Sequence, residues 1–468
     1  MTRYTWHWIL LVVTITFETV FILGDNFSSK IRDENKGCFC KLKGEIDDCS
    51  CKVETLDSLN NNKIFPRLNS LLSRNYFRYF KVNLKKVCPF WSDDSRCALK
   101  DCHVSNCPED SVPPALVKNQ KKPENKYAKK SNEDDSCEEE RELGALDRTL
   151  SAESKEAFKN WTKYDESQDL FCDLDDESSA DLSYVDLLLN PERYTGYKGA
   201  STRRIWRTIY EENCFKPQPT YGYEPKSFHS TKYHEPHIED MCLEKRVFYR
   251  MVSGLHTSIN THLSARYYTP AINGFGQGVW GPNVKEFKRR FEPETTNGEG
   301  PQRLKNLYFT YLVELRAIAK AAPYLLQEEF YTGDSEEDED VKEGIHELLH
   351  IINSFSDHFD ESQLFKGNSK EALKLKEEFR NHFRNISRIM DCVGCDKCKL
   401  WGKLQINGMG TALKILFSGD TIGPQSTVNA KSKKTFQLTR TEIVTLFNAF
   451  GRLSNSIHFL EEFRAKLK

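Results

Sequence analysis

Eight of the chain's fifteen cysteines fall between residues 25 and 110, and four of these are spelled CFC (38–40) and CSC (49–51), facing each other across eight residues. A stretch this rich in sulfur takes its shape from whichever bonds form, and that depends on compartment. The N-terminus points to one: Arg3 precedes WHWILLVVTITFETVFILG, an apolar run broken by Glu18. A short basic start followed by such a run reads as a secretory signal peptide over residues 1–24, with cleavage near Gly24. The interruption and the length argue against a bilayer span, and no other segment is apolar enough to cross a membrane. An exported chain folds where disulfides form. Three sequons fit that route, at Asn26, Asn160 and Asn385, with Asn160 and Asn385 the expected glycan sites. Fifteen is odd, so at least one thiol stays unpaired or pairs outside the chain.

Beyond the cysteines the pattern is helical. Val247, Phe248, Met251, Val252, Leu255, Ile259 and Leu263 mark one face, and Leu304, Leu307, Tyr308, Tyr311, Leu312, Leu315 and Ile318 another, which Pro323 is expected to stop. Asn368 with Glu371, and Thr439 with Glu442, read as capping pairs opening two more helices. A short helix between Leu56 and Phe80 is expected to be interrupted by Pro66. Segments 216–240, 268–283, 331–341 and 418–437 read as polar or Gly/Pro-rich loops. Strand-like alternation is scarce. The fold class is mainly α: a single large helical domain over 145–468, preceded by a disulfide-rich irregular N-terminal arm (25–110) and a flexible regulatory segment (111–144) of charge blocks around Cys137. With 67 basic and 69 acidic residues there is no global basic field, which sets nucleic acid aside.

The densest chemistry lies in DCVGCDKCKLWGK (391–403), where Cys392, Cys395 and Cys398 recur at a three-residue step. Zinc or an iron–sulfur cluster normally takes four ligands; the fourth cysteine of a ferredoxin-like run would fall near Gly402, and the closest upstream histidine is His382. No metal is therefore expected. Residues three apart on a helix are neighbours, so Cys395 and Cys398 can bond across one turn, and a helix start stabilises the first thiolate. The bond closes too small a loop to add much stability, which favours a redox role over a structural one. A second pair, Cys97 and Cys102 in CALKDC, lies in a mobile acidic loop. By spacing alone it is equally a carrier of electrons by thiol–disulfide exchange or one more bridge.

Longer strings carry more information. YFRYFKVNLKKVCPFW (76–91), YVDLLLNPERYTGYKG (184–199), SGLHTSINTHLSARY (253–267), GEGPQRLKNLYF (298–309) and RNISRIMDCVGCDKCKLWGKLQINGMGTALKILF (384–417) resemble the endoplasmic reticulum oxidoreductins, flavin-dependent thiol oxidases, from about residue 38 to the C-terminus. The resemblance implies FAD held in a helical bundle, and molecular oxygen reduced to hydrogen peroxide. Protein disulfide isomerase and related thioredoxin-like oxidoreductases are the implied partners. It implies Cys395–Cys398 as the inner pair, with Cys398 nearer the flavin, and Cys97–Cys102 as the shuttle. It carries the FAD contacts onto Arg193, Thr195, Trp206, Ser253, His256, Arg290 and Arg303: arginines for the pyrophosphate, a flat indole for a ring, and Ser253 and His256 one helical turn apart. Each residue alone has a plainer reading as an ion pair or ordinary packing. No GxGxxG fingerprint follows a strand, so the site is not of the Rossmann sort.

By the same resemblance, Cys38–Cys51 and Cys40–Cys49 form a nested pair, Cys88–Cys392 a long-range staple, and Cys214–Cys242 a loop tie. Cys97–Cys137 and Cys102–Cys107 form when the shuttle is off, and Cys172 is left over. Some positions depart from the family pattern: Gln302 stands beside Arg303 where many relatives have a second arginine, and the loop at 270–278 is unusual. The chain ends RAKLK with no KDEL-like address. The expected location is the endoplasmic reticulum lumen, with retention through partners and peripheral association with the lumenal membrane. The competing reading is a secreted cysteine-rich binding protein whose disulfides are purely structural.

Overall fold

The structure, a computed structural model, describes residues 38–92, 97, 100–117, 170–175, 179–192, 200–215, 238–270, 278–357, 359–366, 370–417 and 438–467. The signal sequence, Asn160, Cys137, Arg193, Thr195 and Asn368 lie outside them.

The fold is mainly helical. In chain order come α1 (Val53–Leu59), α2 (Phe65–Leu72), α3 (Asn75–Arg78), β1 (Tyr79–Val82), α4 (Pro114–Val117), β2 (Ser183–Asp186), α5 (Ala200–Arg207), α6 (Leu243–Ala265), β3 (Tyr267–Thr269), β4 (Val279–Gly281), α7 (Val284–Phe291), α8 (Gly300–Leu325), α9 (Ser335–Asn353), α10 (Lys370–Ile389), α11 (Asp396–Phe417) and α12 (Arg440–Lys466). The two short sheets are antiparallel, pairing Tyr79 with Asp186 and Tyr267 with Gly281 at their ends.

Helices α6, α8, α11 and α12 form a bundle in which α8 and α12 each pack against the other three. A seam of apolar residues at helical spacing explains α6 and α8. Helices α8, α11 and α12 are buried around most of their circumference, because neighbours cover more than one face. Close approach needs small residues. A Cβ on Gly408 would overlap Ala449 and the Thr445 carbonyl, and one on Gly254 would overlap Thr310. A buried Lys414–Glu442 pair (2.6 Å) sits where α11 crosses α12. The Thr439–Glu442 capping box opens α12 as expected.

Three expectations need correction. Pro66 does not interrupt its helix: a π-helical turn at Asn60–Ile64 absorbs the change, and Pro66 enters the first turn of α2, where a missing N–H is harmless. Pro323 lies inside α8, which runs one further half-turn to Leu325. The acidic run from Ser335 is helix rather than loop. Asp334 caps α9, and Glu336, Glu337 and Asp338 sit at its positive end, where acidic side chains stabilise it.

The N-terminal arm is fastened to the bundle. Leu56, Ile64 and Leu68 join the same hydrophobic core. Asp48 accepts from Arg246 (2.8 Å) and Arg250 (2.7 Å) of α6; burial pushes its carboxyl up, but the two guanidiniums hold it below the usual range. The expected hairpin is present, with Glu45 bridging Lys52, but the nested pairs are not its bonds. Cys38 is joined to Cys40 instead, because a turn from the Lys41 N–H to the Cys38 carbonyl (2.8 Å) folds the motif back and leaves the Cα atoms 5.3 Å apart. Cys49 and Cys51 are unpaired, and burial pushes the Cys51 thiol up to about 12. Nor is Cys214 joined to Cys242. Cys242 stands exposed as the N-cap residue of α6, while Cys214 is buried after a π turn. The Cys88–Cys392 bond is present, spanning 304 positions.

Candidate functional site

Helix α11 starts one residue after Cys395, so its first turn carries the C-x-x-C. The Lys399 N–H donates to the Cys395 carbonyl (2.8 Å), and the Cys398 N–H points at Cys395 Sγ (3.3 Å). Cys395 is wholly buried and Cys398 half-buried. The shuttle loop lies directly against this turn. Cys97 and Cys102 are bonded to each other, the Cys97 N–H donates to the Gly394 carbonyl (3.2 Å), and the sulfurs of Cys97, Cys102 and Cys395 all lie within 4.8 Å of one another. Cys102 is buried, whereas Cys97 is partly exposed. His103 Nδ1 stands 3.7 Å from an Asp396 carboxylate oxygen, a second link between loop and helix.

A buried ion cluster fixes the register of the two segments. Lys403 Nζ reaches Asp175 (3.0 Å), Asp391 (2.8 Å) and the Asn83 carbonyl (3.2 Å). One turn earlier, Lys399 Nζ donates to the Leu84 carbonyl (3.1 Å). These contacts tie the chain leading to Cys88 onto α11, and the Cys88–Cys392 bond closes the same junction.

Cys398 also lines a cleft with a cavity volume of about 140 Å³. Its walls are largely apolar, with Val252, Leu255, Phe383 and Ile406 among them, and Trp206 at one side. Trp206 stacks on His256 at 3.5 Å between ring centres. Past His256 lies a second, polar cleft lined by Asn260, Arg290, Thr296 and Arg303. His256 is half-buried; burial, then Arg303 and Arg290, depress it to about 3, so its ring is neutral, with Nδ1 meeting the Tyr210 hydroxyl at 3.1 Å. Arg290 bonds Asn260, but its buried Nε has no partner among the described residues. An unsatisfied buried donor of this kind costs about 1–3 kcal/mol until an acceptor arrives. An apolar cleft beside a polar one lined by Arg290 and Arg303 suits a ligand with a ring system at one end and an anionic group at the other.

The structure thus brings together Cys97, Cys102, Cys395 and Cys398, and separately Trp206, His256, Arg290 and Arg303. Ser253 is engaged elsewhere: its Oγ accepts from Asn306 (3.0 Å) between α6 and α8. Cys107 is half-buried and unbonded, with its N–H on the Tyr184 carbonyl (2.8 Å). Cys172 is buried and unpaired, its thiol pushed up to about 12 by burial. Asn385 sits half-buried within α10. Sequence reasoning missed Glu192 and Arg452, which also line the apolar cleft. The signal for Arg452 was available: a lone charge in an otherwise apolar seam between Phe450 and Leu453.

Comparison with known proteins agrees with this geometry. The family model described as Endoplasmic Reticulum Oxidoreductin 1 (ERO1) matches residues 63–460. The chain is 51% identical to ERO1-like protein alpha of Mus musculus, covering 98% of each sequence. It is also 51% identical to the Ero1-like protein of Drosophila melanogaster, covering 93% of this chain and 92% of that one. A solved structure described as "Structure of Ero1p, Source of Disulfide Bonds for Oxidative Protein Folding in the Cell" superposes with a TM-score of 0.55 at 30% identity, covering 88% of this chain and 97% of that one.

Proposed function

The chain belongs to the endoplasmic reticulum oxidoreductin family, and from that premise we propose that it is an FAD-dependent thiol oxidase of the endoplasmic reticulum lumen. In this reading it makes disulfides in protein disulfide isomerase and related thioredoxin-like partners, at the expense of molecular oxygen. The observation that carries the reading is the meeting of Cys97, Cys102 and Cys395 sulfurs within 4.8 Å, with Cys398 one turn on at the wall of the cleft.

The exchange steps follow from exposure. A partner thiolate attacks Cys97, the more accessible shuttle sulfur; the Cys97–Cys102 bond breaks and Cys102 leaves as thiolate. The partner's second thiolate resolves the mixed disulfide, so the partner gains a bond and both shuttle cysteines are reduced. Cys102 then attacks Cys395 of the inner bond, Cys398 leaves as thiolate, and Cys97 resolves Cys102 to regenerate the shuttle. The electron pair now sits on the inner dithiol, with the Cys398 sulfur at the cleft. Trp206 and His256 would hold flat portions of the cofactor, and Arg290 and Arg303, with Arg193, its pyrophosphate. FAD supplies there a two-electron acceptor for thiols that can pass electrons singly to oxygen, giving hydrogen peroxide.

Cys137 in the 111–144 segment and Cys107 are proposed as alternative partners that switch the shuttle off. No described helix is long and apolar enough to cross a membrane, which is compatible with lumenal residence held by partner binding. The test is direct: purified protein carries flavin absorbance and consumes oxygen when given reduced isomerase, and Cys395→Ser or Cys398→Ser abolishes the uptake. A colourless protein with no uptake refutes the reading.

A further inference from the structure

Arg452 and Glu192 come from opposite ends of the fold. Arg452 projects from the middle of α12, and Glu192 from the segment after β2. They meet at the wall of the apolar cleft, where both line the space that Cys398 also lines. Arg452 Nε donates to Glu192 Oε2 (2.7 Å), and its Nη2 donates to the other carboxylate oxygen. His262 of α6 stands behind them, with Nδ1 3.3 Å from Glu192 Oε2 and Nε2 3.0 Å from the Arg452 carbonyl. Arg452 keeps only 4% of its surface exposed, yet its Nη1 has no hydrogen-bond partner among the described residues. Two guanidinium nitrogens are clamped, and the third is buried without a partner among the described residues, in a side chain that lines the apolar cleft. A planar fork cannot turn that donor away without breaking the bond pair to Glu192.

We propose that Arg452 is a cofactor contact that tunes the redox step: Nη1 donates to an acceptor on the polar edge of the ring lying against Cys398, and so favours that ring's uptake of the electron pair. The proposal rests on the flavin oxidase reading. A ring system that reaches the Cys398 sulfur inside this cleft shares its walls with Arg452. Electron uptake makes the ring's polar edge more basic, and a donor or positive charge beside it shifts the couple towards the reduced form. Glu192 sets how much of that charge the ring feels. His262 adds little, because burial depresses it to about 4 against the opposing pull of Glu192, leaving it neutral. The facing charged groups are therefore Glu192, Arg452 and, on the same cleft, Lys397.

The test is the midpoint potential of the bound flavin, measured by dye equilibration on purified holoprotein, together with flavin retained per chain after desalting. Arg452→Lys and Arg452→Met are expected to make two-electron reduction at least tenfold less favourable, a fall of about 30 mV, with flavin lost more readily from Arg452→Met. Glu192→Gln is expected to move the potential the opposite way, since it unmasks the guanidinium. Lys414→Met, which breaks a buried pair away from the cleft, gives the baseline for destabilisation alone and leaves the potential at the wild-type value. If both Arg452 variants and Glu192→Gln keep that value, the inference is overturned while the oxidase reading stands. If the wild-type chain holds no flavin, both fall. Where Arg452→Met does not fold, Arg452→Lys and Glu192→Gln decide the matter.

Discussion

The contact between shuttle and inner sulfurs can be tested in solution without turning the enzyme over. In a Cys107→Ala/Cys137→Ala background, Cys97→Ser with Cys398→Ser leaves Cys102 and Cys395 as the relay sulfurs. One sulfur held within 4.8 Å of another corresponds to an effective concentration of roughly 4 M before any gain from orientation. In a buffer of 5 mM reduced and 1 mM oxidised glutathione, the ratio of bonded to open pair is then roughly 160. A loop that only wandered past the helix, with an effective concentration in the millimolar range, would give a ratio of about 0.04. The two cases differ by more than a thousandfold, far beyond any error from thiol pKa differences. Acid quenching, alkylation and tryptic peptide mapping by mass spectrometry read the Cys102–Cys395 bond directly. A ratio below one would refute the claim that the shuttle dwells against the inner turn, and with it the proposed order of exchange.

Three further outcomes follow from other parts of the molecule. Arg290→Gln removes a guanidinium that lines the polar cleft; losing charge-assisted bonds worth about 1.5–3 kcal/mol weakens flavin retention roughly 10- to 150-fold, read by absorbance after dialysis. Lys403→Met strands Asp391 and Asp175 in the buried ion cluster and lowers stability by about 3–5 kcal/mol, with Asp391→Asn in the same chain recovering part of it, both followed by chemical denaturation. Burial depresses His256 to about 3 and His262 to about 4, so both stay neutral in the fold while the unfolded chain protonates them below about pH 6.5. Their share of stability is complete above that pH and is lost as pH falls towards 4; for His262 it amounts to about 3 kcal/mol, so thermal unfolding of His262→Gln should depend less steeply on pH over this range.

Helix α12 was legible because its cap and its seam are local: Thr439, Glu442 and the apolar spacing fall within a few turns. Likewise, a run of Leu, Tyr and Ile at three- and four-residue steps announced α8. Pro66 and Pro323 misled because the cost of a proline depends on which turn it occupies, and a π turn or a nearby helix end is invisible in a pattern of apolar residues. The C-x-x-C cysteines stood out by spacing, whereas the approach of Cys97 and Cys102 across roughly 300 positions did not, nor did the burial of the Lys399 and Lys403 ammonium groups against carbonyls of residues 83–86. Cys38 joined Cys40 rather than Cys51 through a single backbone turn, a choice that counting cysteines leaves open. Glu192 and Arg452 are 260 positions apart, and nothing in either neighbourhood names the other.

In the proposed relay, burial gives a reason for using two cysteine pairs rather than one. Cys395 is 0% exposed, so no thiol from bulk solution can meet it in line with its bond, which thiol–disulfide exchange requires. Direct access would let abundant small thiols drain the oxidising equivalents as fast as oxygen supplied them. Only a sulfur carried on this chain's own loop gets there, and Cys102, at 2% exposed, is shielded for the same reason. Of the two shuttle cysteines only Cys97 is partly open, and its own N–H donates to the Gly394 carbonyl (3.2 Å). In the proposed reading, selectivity for thioredoxin-like proteins over small thiols would follow from the order of burial along the relay. In the proposed relay, the one-turn spacing of Cys395 and Cys398 would connect a sealed entry to an exit at the cleft on the same helix face.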